Sequence, residues 1–205
     1  MNKLKAVIFD WGGVLIKNPS QTMFTHYAKT LGINLPQLTQ TLSELEHEFQ
    51  TGKLTEEKFW KKICNVHNKS FPLFKHSIWG EGLKRSYQPK LDMFHLVKSL
   101  KAKGYKTALL SNTESPMVPL FHDKHPDHAL HFDTLIFSCI EGHRKPHAPI
   151  YELTLQRLQT TPEETLFVDD KEENVMGAQK VGMHGHVFKT ANALKKELST
   201  FNIHL

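Results

Sequence analysis

The sequence predicts an α/β fold, a parallel sheet flanked by helices, with an all-helical block inserted after the first strand. Three observations carry that expectation. "AVIFDWGGVLI", residues 6–16, is a short apolar run that meets one carboxylate, Asp10, and then two glycines, the pattern of a buried strand ending where the backbone turns sharply. Residues 20–87 then show apolar side chains at helical spacing and no convincing strand. From "PKLDMFHLVKSLKAKG" onward, helix-like and strand-like stretches alternate, which implies parallel strands joined by right-handed helical crossovers.

In order along the chain, the block after the first strand contains "SQTMFTHYAKTLG", "LPQLTQTLSELEHEFQTG" and "LTEEKFWKKICNVHN", each with an apolar face and polar residues between. The alternating part runs from the helix "PKLDMFHLVKSLKAKG" through the strand "YKTALLSN" and a helical or irregular stretch to the strand "DTLIFSCIEG". The helix "PIYELTLQRLQ", the strand "TLFVDD", the helix "EENVMGAQKVG", the strand "HGHVF" and a last helix near "ANALKKELSTF" complete it. Residues 1–17 and 90–205 are therefore expected to form the sheet-containing core, and residues 18–89 a helical cap. There is no internal repeat and no low-complexity tract.

A chain of 205 residues that is 39% hydrophobic suits one substantial domain, or a domain carrying a smaller insertion. No apolar stretch is long enough to span a bilayer, and the apolar segment of "MNKLKAVIFD" is too short for a secretory signal; a cytoplasmic protein with no membrane partner is expected. The two cysteines, Cys64 in an expected helix and Cys139 in an expected buried strand, read as free thiols. The formal net charge of +5 and a pI near 9.1 favour an anionic partner. Because the lysines are scattered along helix faces rather than gathered with aromatics, phosphorylated metabolites fit at least as well as nucleic acid, and no nucleic-acid partner is expected. Among fourteen histidines, His122, His125 and His128 fall at a regular interval in "HDKHPDH". Pro126 interrupts any helix that would align them, and neither a thiolate pair nor HExxH accompanies them, so a solvated loop is expected there rather than zinc.

Several expected strand ends carry polar side chains: Asp10, then Ser111 and Asn112, then Asp169 and Asp170. Lys145 lies in "GHRKPHAPIY" just before a helix. Taken singly, these read as a turn aspartate, a helix cap, a solvated acidic turn and a surface lysine. Parallel strands would aim them together into the crevice beyond the strand ends. There Asp10 can act as a nucleophile, Asp10, Asp169 and Asp170 offer hard oxygen ligands to Mg2+, and Lys145 and Ser111 can position and neutralise a phosphoryl group.

"VIFDWGGVL", "ALLSNT", "RKPHAPIY" and "LFVDDKEENVMGAQKVGM" resemble, in order and at suitable separations, the four motifs of the haloacid dehalogenase-like hydrolase superfamily. The resemblance implies a Rossmann-like three-layer core with a helical cap and a nucleophile at Asp10. It further implies phosphate contacts from Ser111 and Lys145, Mg2+ held by Asp10, Asp169 and Asp170, and support from Asn174. Among members, the opening motif with "SNT" and "RKP" is similar to bacterial sugar-phosphate phosphatases of the α-D-glucose-1-phosphate phosphatase type. One departure is plain. Most phosphatases of this superfamily have a second aspartate two positions after the nucleophile, where this chain has Gly12, so the metal-binding backbone carbonyl is kept and the carboxyl acid is lost. Glu114 or a bound water would have to supply the proton instead.

Three other readings stay open from the sequence. A C–P bond hydrolase of the phosphonoacetaldehyde type would need a cap lysine, for which Lys53 is the candidate. A carbon–halogen dehalogenase would use Asp10 without magnesium, which the pair Asp169 and Asp170 argues against. A non-catalytic phosphometabolite- or partner-binding module would have lost turnover with the change at Gly12.

Overall fold

The computed structural model of the protein describes residues 3–71, 76–124 and 129–205. Five strands, β1 (Ala6–Phe9), β2 (Lys106–Ser111), β3 (Thr134–Phe137), β4 (Thr165–Asp169) and β5 (His184–Val187), form one sheet in the order β3-β2-β1-β4-β5. Every pairing is parallel. The chain moves outward from β1 to β3 and then crosses back to β4 on the other side of β1. That reversal places a crevice at the carboxyl end of β1, where open α/β sheets hold ligands.

Both faces of the sheet are covered, as a parallel sheet requires. On β1, Ala6 and Ile8 join one hydrophobic cluster with Ile150, Tyr151 and Phe167, while Val7 and Phe9 join another that extends into the inserted helices. The period-two alternation of the strand divides these layers. Helices α5 (Leu91–Ala102), α6 (Met117–Lys124), a four-residue α7 (Ser138–Glu141), α8 (Ala148–Leu158), α9 (Glu172–Lys180) and α10 (Ala191–Thr200) accompany the sheet. The expected strand "DTLIFSCIEG" is shorter than the apolar pattern implied. It ends at Phe137, and Cys139 lies half-buried in α7 rather than in a buried strand. An apolar run alone does not separate a buried strand from a helical turn that follows it. Cys64 is buried in a helix as expected, and both cysteines are free.

Between β1 and α5 lie α1 (Ser20–Leu31), α2 (Leu35–Gln50), α3 (Glu56–Val66) and α4 (Ile78–Ser86). α3 and α4 begin with side-chain caps, Thr55 accepting from the Lys58 N–H and Ser77 from the Gly80 N–H. The two ends of this insertion run side by side: Lys17 N–H donates to the Gln88 carbonyl at 2.8 Å and Lys90 N–H to the Leu15 carbonyl at 2.9 Å. No helix among the described residues is long and apolar enough to cross a membrane. His122 is exposed on α6, and His125 and His128 lie outside the described residues.

The insertion is pinned by one close approach. Tyr27 of α1 is fully buried and donates its hydroxyl to the Trp79 carbonyl at 3.0 Å, and a Cβ on Gly82 of α4 would stand 2.4 Å from the Tyr27 ring. Alanine favours a helix interior by about 1 kcal/mol over glycine, but overpacking a fixed core costs about 1–3 kcal/mol. Gly82→Ala should therefore lower stability to urea, and Gly82→Leu should lower it further. A stabilised Gly82→Ala would show that Tyr27 gives way.

Candidate active site

The strand register sets the site. Phe9 stands opposite Val168 on β4 and opposite Leu109 on β2, so Asp10, at the end of β1, comes level with Asp169, and Ser111 ends the neighbouring strand. Carboxylate oxygens of Asp10, Asp169 and Asp170 all lie within 4.8 Å of one another. The four sequence segments singled out above thus meet at one edge of three adjacent strands.

Lys145 is the centre of this edge. Its side chain is 1% exposed, and its Nζ donates to Asp10 Oδ1 at 2.6 Å, Asp169 Oδ2 at 2.7 Å and the Leu110 carbonyl at 2.9 Å. An ammonium has three donors, and all three are engaged, so Lys145 orients the two carboxylates by contact and acts on the cavity through its charge. Asn112 fixes the Lys145 backbone: Asn112 Nδ2 donates to the Lys145 carbonyl at 3.0 Å, and Lys145 N–H donates to Asn112 Oδ1 at 2.9 Å. Asn112, expected to touch substrate, lines the cavity but commits one donor and one acceptor to positioning Lys145.

Asp169 is more fully satisfied than its neighbours. It accepts from Lys145, from the Lys171 N–H at 2.8 Å, and from Asn174 Nδ2 at 3.1 and 3.0 Å. Tyr151 in turn donates its hydroxyl to the Asn174 carbonyl at 2.7 Å. Asp170 is half-buried against the β1 turn, where a Cβ on Gly13 would stand 2.1 Å from Asp170 Oδ2. Gly13 also has φ +85, so both the left-handed backbone and the close approach demand glycine. In the sequence, the signal for Gly13 is the pair of glycines that follows a strand-end aspartate. Gly12 itself is open, its nearest neighbour to a Cβ being Pro19 Cδ at 3.8 Å.

The charges set the protonation behaviour. Burial holds the Asp10 carboxyl above the usual range, Lys145 opposes it and the Asp169 charge reinforces it. Burial works against the Lys145 ammonium, but Asp10 and Asp169 outweigh it and its pKa is raised. Burial and then Asp169 raise Asp170. Three clustered carboxylates against one ammonium leave a negative site of hard oxygens, which fits a small divalent cation.

A cavity of about 220 Å3 opens above these groups, bounded by Asp10, Gly12, Ser111, Lys145, Asp169 and Asp170 on the core side and by residues of α1, α2, α3 and α4 on the other. Lys53, the cap lysine of the C–P hydrolase reading, is exposed and does not line it. Glu114 does, and is buried, accepting from Gln50 Nε2 at 2.8 Å. Lys90, which donates to the Gly13 carbonyl and stands 4.7 Å from the Phe188 ring centroid, and Gln50 belong to no sequence motif, and only the fold brings them to the site.

Burial pushes the Glu114 carboxyl up from 4.5 to about 7, against the pull of Gln50. The native state then holds a proton that the unfolded chain has released, so stability falls as pH rises from the unfolded toward the folded pKa. At ~1.4 kcal/mol per pKa unit, the loss comes to about 3 kcal/mol. Glu114→Gln removes the titration and can return an amide donor to Gln50. Urea denaturation should show the variant gaining on wild type as pH rises from about 5 to about 8, and parallel pH profiles would refute the assignment.

The chain is similar to known proteins over most of its length. A family model described as haloacid dehalogenase-like hydrolase matches residues 4–182. The chain is 32% identical over 182 residues to the sesquiterpene phosphatase astK of Aspergillus oryzae, covering 88% of each protein. It is 27% identical over 191 residues to D-ribitol-5-phosphate phosphatase of Bacteroides thetaiotaomicron, covering 87% of this chain and 89% of that one. A haloacid dehalogenase family enzyme of Bacteroides thetaiotaomicron, solved with magnesium and inorganic phosphate, shares the fold with a TM-score of 0.76 at 21% identity, covering 92% of this chain and 96% of that one. With four strand-end motifs converged on one crevice and a matching family model over most of its length, the chain belongs to the haloacid dehalogenase-like hydrolase family.

Proposed function

We propose that this hydrolase is a Mg2+-dependent phosphatase acting on a small phosphate monoester through a phospho-aspartate at Asp10. The observation that carries the reading is the buried ammonium of Lys145 held between Asp10 and Asp169, with Asp170 completing the acidic cluster. Two relatives are named as phosphatases and a structural neighbour was solved with magnesium and phosphate, which supports the same chemistry here. Asp10, Asp170 and the Gly12 carbonyl would hold the ion, with Asp169 bound to Lys145, Lys171 and Asn174 beside them. When bound, Mg2+ supplies charge neutralisation for a negative substrate meeting a negative nucleophile.

The chain's own groups do the rest. Lys145 fixes the Asp10 carboxylate so that one oxygen faces the cavity, and the Ser111 hydroxyl at the end of β2 is placed to hydrogen-bond the transferring phosphoryl group. Asp10 attacks phosphorus, the bond from phosphorus to the ester oxygen breaks, and the departing oxygen takes a proton. Water then cleaves the phospho-aspartate and releases phosphate. Residues 18–89 act as the cap that covers the ester's organic part, since four of their helices supply the wall facing the acidic cluster.

A screen of phosphate monoesters with Mg2+ and with EDTA tests the reading. Turnover should require the metal, and Asp10→Asn should lower it by on the order of 10^3-fold or more while circular dichroism stays unchanged. Turnover by a deamidation-free Asp10→Asn protein at the wild-type rate would overturn the proposal.

Gly12 generates a second test. With no carboxyl acid at this position, the departing oxygen has no proton donor from the β1 turn, so esters of acidic leaving groups should react faster. The open space at Gly12 lets Gly12→Asp restore a donor. Across esters of graded leaving-group pKa, kcat/KM should fall more steeply for wild type than for Gly12→Asp. Equal slopes, with chemistry limiting both, would mean that another residue already supplies the proton.

A further inference from the structure

The cavity changes character with depth. Of its cap-side polar residues, Asn18, Ser20, Thr39 and Ser43 are exposed, at the rim, and Glu46 is half-buried, paired with Arg144 and accepting from Gln50 Nε2. The buried wall is Met23, Leu42, Phe49, Phe59 and Trp79, met from the core side by Met117. Phe49 and Phe59 stack with ring centroids 4.2 Å apart, and Trp79 meets them edge-on at 5.1 and 5.5 Å. The hydrogen bond from Tyr27 to the Trp79 carbonyl anchors this cluster. The wall is therefore a fixed apolar surface, and it faces the position a phosphoryl group's ester substituent would occupy.

On the cap side, the buried polar side chain of the wall is Gln50, bonded to Glu114. Gln50 Oε1 has no hydrogen-bond partner among the described residues, and the Trp79 indole N–H lies beside the Glu114 carboxyl; on the core side of the cavity Trp11 Nε1 and Thr113 Oγ1 are likewise without a partner among the described residues. The buried cap-side wall thus offers a ligand few polar atoms, and the other buried polar groups of the cavity lie on the core side. A sugar would bring several hydroxyls out of water and find partners for few of them, and each left unpaired opposes binding. A hydrocarbon loses nothing there and gains from leaving water.

Resting on the phosphatase reading above, we infer that the alcohol this enzyme releases is largely hydrocarbon, laid against the apolar wall of Met23, Leu42, Phe49, Phe59 and Trp79. The sugar-phosphate substrate implied by the sequence resemblance is replaced by an apolar phosphate monoester at the same acidic cluster.

The test is a series of n-alkyl phosphates from ethyl to hexyl, whose alcohols are nearly equal in acidity, so that the slope reports burial rather than leaving ability. kcat/KM should rise about fourfold per methylene until the wall is filled, and hexyl phosphate should exceed glucose 6-phosphate and ribitol 5-phosphate. A flat or falling series, or a preference for either sugar phosphate, overturns the inference. Calorimetric binding of ethyl- and hexylphosphonate, which do not turn over, separates the two readings. Tighter binding of the hexyl compound with a negative heat-capacity change, without turnover of any ester, would sink the phosphatase reading and leave the apolar chamber standing. Equal affinity of the two phosphonates, with esters turned over at equal rates, would do the reverse.

Discussion

The site depends on one buried ammonium. Taking Lys145 out of water is costly unless every donor finds an acceptor and the charge meets its opposite, and this one reaches two carboxylates and a carbonyl within 2.9 Å. The acceptors come from β1, β2 and β4, which is possible because the strand order puts β1 between the other two. The same pairing fixes the orientation of Asp10 and ties Asp169 to the loop that Lys171 and Asn174 close. A site assembled this way is rigid before substrate arrives, as preorganised electrostatic catalysis requires.

Most of this arrangement was legible in the sequence. Strand-end polar residues and four spaced motifs located Asp10, Ser111, Lys145, Asp169 and Asp170, because apolar strands and the residues that terminate them are local signals. The position of Asn112 after β2 is local, whereas its two hydrogen bonds to the Lys145 backbone join segments far apart in the chain. Lys90 and Gln50 depend on contacts between segments and leave little trace in spacing. Cys139 shows the opposite failure. The apolar pattern of "DTLIFSCI" continues past the last strand residue, Phe137, and the helical turn that follows could not be told from strand by pattern alone.

The inserted helices illustrate why periodicity places a helix but not its exposed face. Each of α1, α2 and α3 has an apolar stripe, and the stripe alone does not say whether it packs on a neighbour or lines a chamber. In α2, Leu42 and Phe49 do both: they belong to the continuous core and to the cavity wall. Exposed Thr39 and Ser43 sit on the same helix beside them. The gradient from polar rim to apolar floor emerges only when the aromatic residues of α3 and α4 close on this face, drawn in by the stacking of Phe49, Phe59 and Trp79.

The helical insertion and the sheet share their anchoring with the turn that follows Asp10. After Asp10 the backbone doubles back, the Leu15 and Ile16 N–H groups donating to the Trp11 carbonyl and Gly13 N–H to the Ile16 carbonyl. Leu15 also accepts from the Lys90 N–H, Ile16 bridges to Pro89, and the Lys90 ammonium reaches the Gly13 carbonyl. The residues that join the helical insertion to the core are therefore the ones that shape the loop cradling Asp170. Substitution of Gly13 would disturb the acidic cluster directly, whereas Gly12, one residue nearer Asp10, has room for a side chain. The paired glycines thus stand under different constraints: Gly13 is required by backbone conformation and by the Asp170 carboxylate, whereas neither demands glycine at position 12.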